Sequence, residues 1–244
     1  MMERHLASSI WSSRGYNHSS FEARRRLCRF LIRTIGFTLL AKIDHVEGVE
    51  KVPASGPAIL MINHISFIDP FAVMNVLPRN IVPMAKVEVY NYPVVGIFPR
   101  IYGVIPVQRE ELDRRAIQGA LEVLRAGEII LVAPEAHRGP ELRQGKEGVA
   151  YLATRADAPV VPVAIDGTIG FPTFRLAPRW RGPGAWVRFG EPFRFATQGQ
   201  RAGREALRQM TDEAMYILAG MLPENRRGFY SDLSRATRET IIPV

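Results

Sequence analysis

Short apolar runs separated by polar, helix-periodic stretches make up most of this chain. Ala58–Ile62, Ile81–Ala85, Ile101–Val107, Ile129–Ala133 and Val160–Ile165 read as strands, and several are apolar at every position, as strands covered on both faces are. Val46–Val52, with Gly48 as a turn or bulge, and Ala185–Phe189 complete the predicted set. Between them, apolar residues recur at helical spacing over about 21–43, 67–77, 111–126, 146–156 and 203–222, with Pro78 and Gly127 as stops. Strand, loop and helix in alternation predict an α/β fold with a central, largely parallel sheet flanked by helices. Tyr90–Arg100, rich in Pro, Gly and aromatic residues, reads as a loop with a short helix that faces something apolar, and Phe171–Gly184 reads as irregular. The expected organisation is an N-terminal basic, amphipathic segment (1–43), a main domain (44–222) and a polar, peripheral C-terminal tail (223–244).

The N-terminal segment has two readings. Leu27, Phe30, Leu31, Ile35 and Leu39 share one helix side, and Arg24-Arg25-Arg26 precede them, which suits an interfacial helix on an anionic membrane. An ordinary amphipathic helix packed on the domain fits the same pattern. A membrane span is disfavoured, because Arg29, Arg33 and Lys42 interrupt the run and a bilayer core needs roughly 20 apolar residues.

Composition narrows the class. With 244 residues and 47% hydrophobic content, the chain can bury a sizeable core and is not a disordered protein. A net charge of +8 predicts an anionic partner: nucleic acid, an acidic membrane surface or a phosphorylated small molecule. Cys28 is the single cysteine, so no intramolecular disulfide can form, and a reduced cytoplasmic setting is the simplest fit.

The chemistry gathers where strands end. In open α/β sheets the carboxyl ends of parallel strands share one edge, so His64 and Asp69 after the first central strand, Arg109 after another, and Glu135 and Arg138 after a third can converge. A neutral imidazole can take a proton from a hydroxyl while a carboxylate fixes its tautomer. Arg109 and Arg138 offer fork-shaped donors suited to phosphate. Glu135 could meet an acceptor's hydroxyls or hold an arginine. Ser66, three residues before Asp69, has the position of a helix-capping hydroxyl. Taken singly, each has a plain structural reading: a surface histidine, a capping acid, a solvated arginine, a local ion pair.

Together these residues resemble the glycerolipid acyltransferases that include 1-acylglycerol-3-phosphate acyltransferase. His64-x4-Asp69 is similar to their first block, Gly103-Val104-Ile105-Pro106-Val107-Gln108-Arg109 to the second, Pro134-Glu135-Ala136-His137-Arg138 to the third and Val161-Pro162-Val163-Ala164 to the fourth. Ala85-Lys86-Val87-Glu88 and Gly145-Lys146-Glu147-Gly148 fit as well, and the likeness covers about residues 45–195. It implies transfer of a fatty acyl group from acyl-CoA or acyl-ACP to the free hydroxyl of lysophosphatidic acid, giving phosphatidic acid. His64 is then the general base and Asp69 its orienting partner, with no acyl-enzyme. Arg109, Glu135 and Arg138 hold phosphate and glycerol, and Lys86, Gly103 and Ser66 are further substrate-binding candidates. For the oxyanion, helix-start amides or Ser66 are candidates. No cofactor is bound permanently, no metal is implied, and the protein is placed peripherally on the cytoplasmic face of the cell membrane. Ala136 and His137 stand where the family commonly has Gly and Thr, which makes His137 a possible modulator of acceptor choice.

Two alternatives remain open at this stage. The same chemistry could serve another lysophospholipid, glycerol 3-phosphate or a lyso-aminolipid. A non-catalytic basic membrane- or nucleic-acid-binding protein would also carry this charge, although the basic runs lack interleaved aromatics and no zinc-finger or helix-turn-helix signature occurs, so no nucleic acid partner is expected. No Gly-x-Ser-x-Gly, Walker, Gly-x-Gly-x-x-Gly or His-Glu-x-x-His motif is present.

Overall fold

A computed structural model of the chain describes residues 11–12, 15–108, 113–197 and 202–244. Its elements are α1 (Glu22–Leu31, continued by a π-type segment, Ile32–Leu40), β1 (Ile43–Glu47), β2 (Ala58–Ile62), α2 (Asp69–Val76), β3 (Ile81–Lys86), α3 (Ile97–Tyr102), β4 (Ile105–Val107), α4 (Arg114–Arg125), β5 (Ile129–Val132), α5 (Gly148–Ala156), β6 (Val160–Asp166), β7 (Ala185–Phe189), β8 (Phe193–Phe195), α6 (Arg204–Gly220) and β9 (Ile241–Pro243). The strands form one sheet in the order β9-β8-β6-β2-β5-β3-β4, with β7 beside β6 and β1 beside β7. The central strands β6, β2, β5, β3 and β4 run parallel, while β7 and β8 are antiparallel to β6, so the sheet is mixed and mostly parallel.

Strand β2 shows why the central runs are wholly apolar. Ile59 and Met61 point into one core with α4, α5 and α6; Ala58, Leu60 and Ile62 point into the other with α2 and Tyr102 of α3. Alternate residues of a strand face opposite sides, so a strand with helices on both faces has no solvent side to make polar.

Two expected strands are corrected. The run expected as one strand over 101–107 is split: Ile101 and Tyr102 close α3, Gly103 takes a left-handed conformation (φ +72°), and the strand starts at Ile105. A short apolar run fits helix or strand equally, and here glycine ends the helix. Val46–Val52 is likewise cut short at Glu47, because Gly48 turns with φ +76° and a Cβ there would lie 2.3 Å from the Phe189 carbonyl oxygen. The tail, exposed over most of its length, is anchored to the domain. Tyr230 is fully buried, donating to Asp212 (2.8 Å) and accepting from the Gly145 amide (3.1 Å). Glu213, also buried, accepts hydrogen bonds from Thr237, Glu239 and Thr240, which brings the chain end back as β9 on the edge of the sheet.

The boundary expected at residue 43 is also closed. Arg25 is fully buried, with its guanidinium on the carbonyls of Tyr102 (2.9 Å) and Gly103 (3.2 Å) and on the Tyr16 hydroxyl. It therefore cannot meet lipid head groups. Arg29 donates to Leu77 O (2.9 Å) and Pro78 O, and Arg33 to Asn75 O (3.0 Å) and Leu77 O, so both cap the carbonyl end of α2. The apolar side of α1 and its continuation faces away from the domain: Leu27, Phe30, Leu31, Ile35 and Leu39 are all exposed.

Candidate active site

The chain leaves β2 at Asn63, whose buried side chain pairs with both the amide and the carbonyl of Ile165, each at 2.8 Å. This side-chain bridge continues the β2–β6 ladder past the strand end and fixes the exit direction. His64 follows, with its ring Nδ1 2.9 Å from Asp69 Oδ2. Asp69 is fully buried. Its Oδ2 also accepts the amides of Ile65 and Ser66, each at 2.8 Å, and its Oδ1 accepts the Thr168 hydroxyl at 2.6 Å. Because that carboxylate oxygen only accepts, the His64 nitrogen facing it is the N–H, and Nε2 carries the lone pair.

The helix start differs from the expected form. Ser66 does not cap α2 with its hydroxyl; Asp69, the first residue of the helix, reaches back to the loop amides instead. The amides of Ile65 and Ser66 are thus committed to Asp69 and are removed as oxyanion donors.

Glu135 follows β5. It is 4% exposed, and its two oxygens accept the His64 amide (3.2 Å) and the Arg143 amide (3.0 Å). It clamps two loops together, and each oxygen has one backbone amide as its donor. Gly139 N–H donates to His64 O (3.0 Å) and ties the same loops again. Burial pushes the Glu135 carboxyl up to about 7, against the lowering effect of the two amides. Gly103 is held from the other side: its carbonyl accepts Tyr16 Oη (2.6 Å) and Arg25, and a Cβ would stand 2.4 Å from the Phe21 ring. Arg109 lies outside the described residues.

His64 opens onto a cavity of about 1200 Å³. Its walls include Phe67, Phe71, Met74, Met84, Phe98 and Leu131, with Lys86, His137, Arg138 and Lys146 among the polar lining residues. The rings of Phe67, Phe71, Phe98 and Tyr102 follow one another with centroids 5.3, 4.8 and 5.0 Å apart, linking the wall to the core. Ala136, a lining residue, holds φ +57°, the left-handed region that favours glycine. Reasoning from sequence missed Asn63 and Thr168 as site residues; the signal for Thr168 was a polar residue just past a strand end, as for His64.

An apolar cavity with basic lining residues, and a buried carboxylate behind a histidine at the carboxyl edge of a parallel sheet, match a known grouping. The acyltransferase family model matches residues 44–166, half of the chain. The chain belongs to the acyltransferase family. Within it, the chain is similar to a chloroplastic 1-acyl-sn-glycerol-3-phosphate acyltransferase of Brassica napus, 28% identical over 155 residues, covering 59% of this chain and 44% of that one. A 1-acyl-sn-glycerol-3-phosphate acyltransferase of Bacillus subtilis is 29% identical over 123 residues, covering 50% and 62%. The chain therefore spans about half the length of the curated relatives it matches. The crystal structure of the 1-acyl-sn-glycerophosphate acyltransferase PlsC of Thermotoga maritima superposes with a TM-score of 0.54 at 26% identity, covering 78% of this chain and 77% of that one. His64, Asp69 and Glu135 lie within the matched segment, and Thr168 falls just after it.

Proposed function

We propose that this acyltransferase moves a fatty acyl group from an acyl thioester, carried by coenzyme A or acyl carrier protein, to the free hydroxyl of lysophosphatidic acid, giving phosphatidic acid. The observation that carries the reading is the His64–Asp69 pair at the wall of a large apolar cavity, wider than the roughly 300–1,000 Å³ of sites for drug-sized ligands. His64 Nε2 takes the proton of the acceptor hydroxyl as its oxygen attacks the thioester carbonyl carbon. The tetrahedral adduct collapses with cleavage of the C–S bond, and the leaving sulfur takes up the proton. Asp69 holds the tautomer and offsets the charge that His64 gains. The apolar wall suits an acyl chain, and Arg138, Lys86 and His137 at the same cavity suit the phosphate. The names of the relatives support lysophosphatidic acid as acceptor.

The same reading places the protein peripherally on an anionic membrane surface at the cytoplasmic face. Support comes from the exposed side of α1 and its continuation and from the loop before β7, where Phe174 is 75% and Leu176 97% exposed beside the exposed Arg175. Among the described residues no helix is long and apolar enough to cross a membrane.

Purified protein given a palmitoyl thioester and a panel of acceptors, scored by thiol release and product mass, tests the assignment. Turnover is expected with lysophosphatidic acid and lost in His64→Ala with folding intact. Activity confined to unphosphorylated acceptors refutes the acceptor, and undiminished His64→Ala turnover refutes the mechanism.

A further inference from the structure

The structure assigns Thr168 as a positioning residue for the acyl transfer, acting on His64 through Asp69; this rests on the general-base reading above. Four donors meet the Asp69 carboxylate: His64 Nδ1, the amides of Ile65 and Ser66, and the Thr168 hydroxyl. Three of the four converge on Oδ2, and all three come from the loop that carries His64. Among the described residues Thr168 alone, just past the end of β6, holds Oδ1. At 2.6 Å the contact has the length of a hydrogen bond to an ionised acceptor, and both side chains are fully buried.

The consequence is geometric. A carboxylate can pivot about its Cβ–Cγ bond, and the donors on Oδ2 fix one oxygen only. The Thr168 bond fixes the other, and with it the plane in which Oδ2 meets the imidazole. Without the hydroxyl, Oδ1 is a buried acceptor lacking a partner, which costs free energy and drives the carboxylate to turn or to admit water. Either response changes how Asp69 aims His64.

The chain builds this placement deliberately. Thr168 follows Gly167, whose φ of +74° and close approach to the Gly184 carbonyl oxygen, 2.5 Å from where a Cβ would sit, leave no room for a side chain. Asp166, one residue earlier, accepts the Gly167 amide (2.7 Å) and pairs with Arg226 of the C-terminal segment (2.9 Å). The Thr168 carbonyl accepts the Phe171 amide (3.1 Å) and closes the turn. A residue braced on both sides is able to set the angle of a neighbour.

The test compares Thr168→Val, which keeps the shape and removes the hydroxyl, with Thr168→Ser, which keeps the hydroxyl. Thr168→Val is expected to lower kcat about 10–100-fold, the range set by small misplacements of a catalytic group, with KM for thioester and acceptor nearly unchanged. Thr168→Ser is expected to retain turnover within about threefold of the parent, since small shifts outside the catalytic hydrogen bonds cost little. In a double-mutant cycle, Asp69→Asn with Thr168→Val is expected to be no slower than Asp69→Asn alone, because the hydroxyl acts only through Asp69. Should Thr168→Val not fold, Thr168→Ala carries the same expectation. Full turnover in the Val variant, equal loss in the Ser variant, or additive losses in the cycle overturns the assignment. An active His64→Ala control would instead overturn the general-base reading, so the two failures are distinct.

Discussion

Glu135 offers the sharpest quantitative check, because the same carboxylate weakens the fold and orders the site. Its buried carboxyl titrates at about 7 in the folded chain against an ordinary value of 4.5. A raised folded value means that the unfolded chain gives up the proton first. The stability Glu135 lends is then full below about pH 4.5 and is lost as pH rises through about 7. Each unit between the two values is worth about 1.4 kcal/mol, so the loss comes to about 3 kcal/mol. Glu135→Gln keeps the shape and cannot titrate. Equilibrium urea unfolding of both proteins at intervals from pH 4 to pH 8 gives the difference in unfolding free energy, parent minus variant. That difference is expected to fall by about 3 kcal/mol across the window, with half of the loss reached roughly midway between 4.5 and 7. A difference constant to within about 1 kcal/mol refutes the account, since it would mean that the carboxyl titrates alike in both states. Turnover should move the other way. The ionised group accepts both the His64 and Arg143 amides, whereas glutamine presents an NH2 to one of them, so the variant is expected to be slower at pH 8.

Two further outcomes follow from the geometry. Ala136→Gly relieves a left-handed alanine and is expected to stabilise the fold by up to about 1 kcal/mol, read as a higher Tm with turnover retained; a lower Tm would show that the cost in chain entropy exceeds the strain. Leu27→Ser with Phe30→Ser, and separately Phe174→Ser with Leu176→Ser, are each expected to weaken co-sedimentation with anionic vesicles at least tenfold at unchanged Tm, since a buried Leu or Phe is worth roughly 1.5–3 kcal/mol. Unchanged partitioning in both pairs removes these faces from membrane attachment. Point variants are preferable to deleting residues 1–43, because Arg25, Arg29 and Arg33 tie that segment to the domain.

The central sheet was legible because β2 and β5 are apolar at every position and β6 is so up to its last residue, Asp166, a pattern set by burial on two faces. The positions of His64, Asp69, Glu135 and Arg138 at one edge followed from parallel strands alone. Their hydrogen bonds did not. Whether Glu135 meets a substrate or two backbone amides depends on how a loop folds back, and residue types do not encode that. Arg25 shows the same limit: three arginines in a row look alike on paper, and the one buried is decided by carbonyls at Tyr102 and Gly103, far away in sequence. The split of 101–107 into helix and strand turned on Gly103, whose left-handed conformation leaves no trace in an apolar pattern.

Helix α2 is a rod of eight residues, about 12 Å from end to end. Asp69 sits at its first residue, and the carbonyls at its other end are gripped by Arg29 and Arg33. The segment that meets the surroundings and the carboxylate that aims the imidazole are therefore two ends of one short lever. On the proposed general-base reading, a change in how α1 is seated is passed along α2 to the carboxylate that faces His64. Variants made to alter attachment must accordingly be judged by turnover in detergent as well as by binding, and residues remote from His64 in sequence become part of the rate it sets.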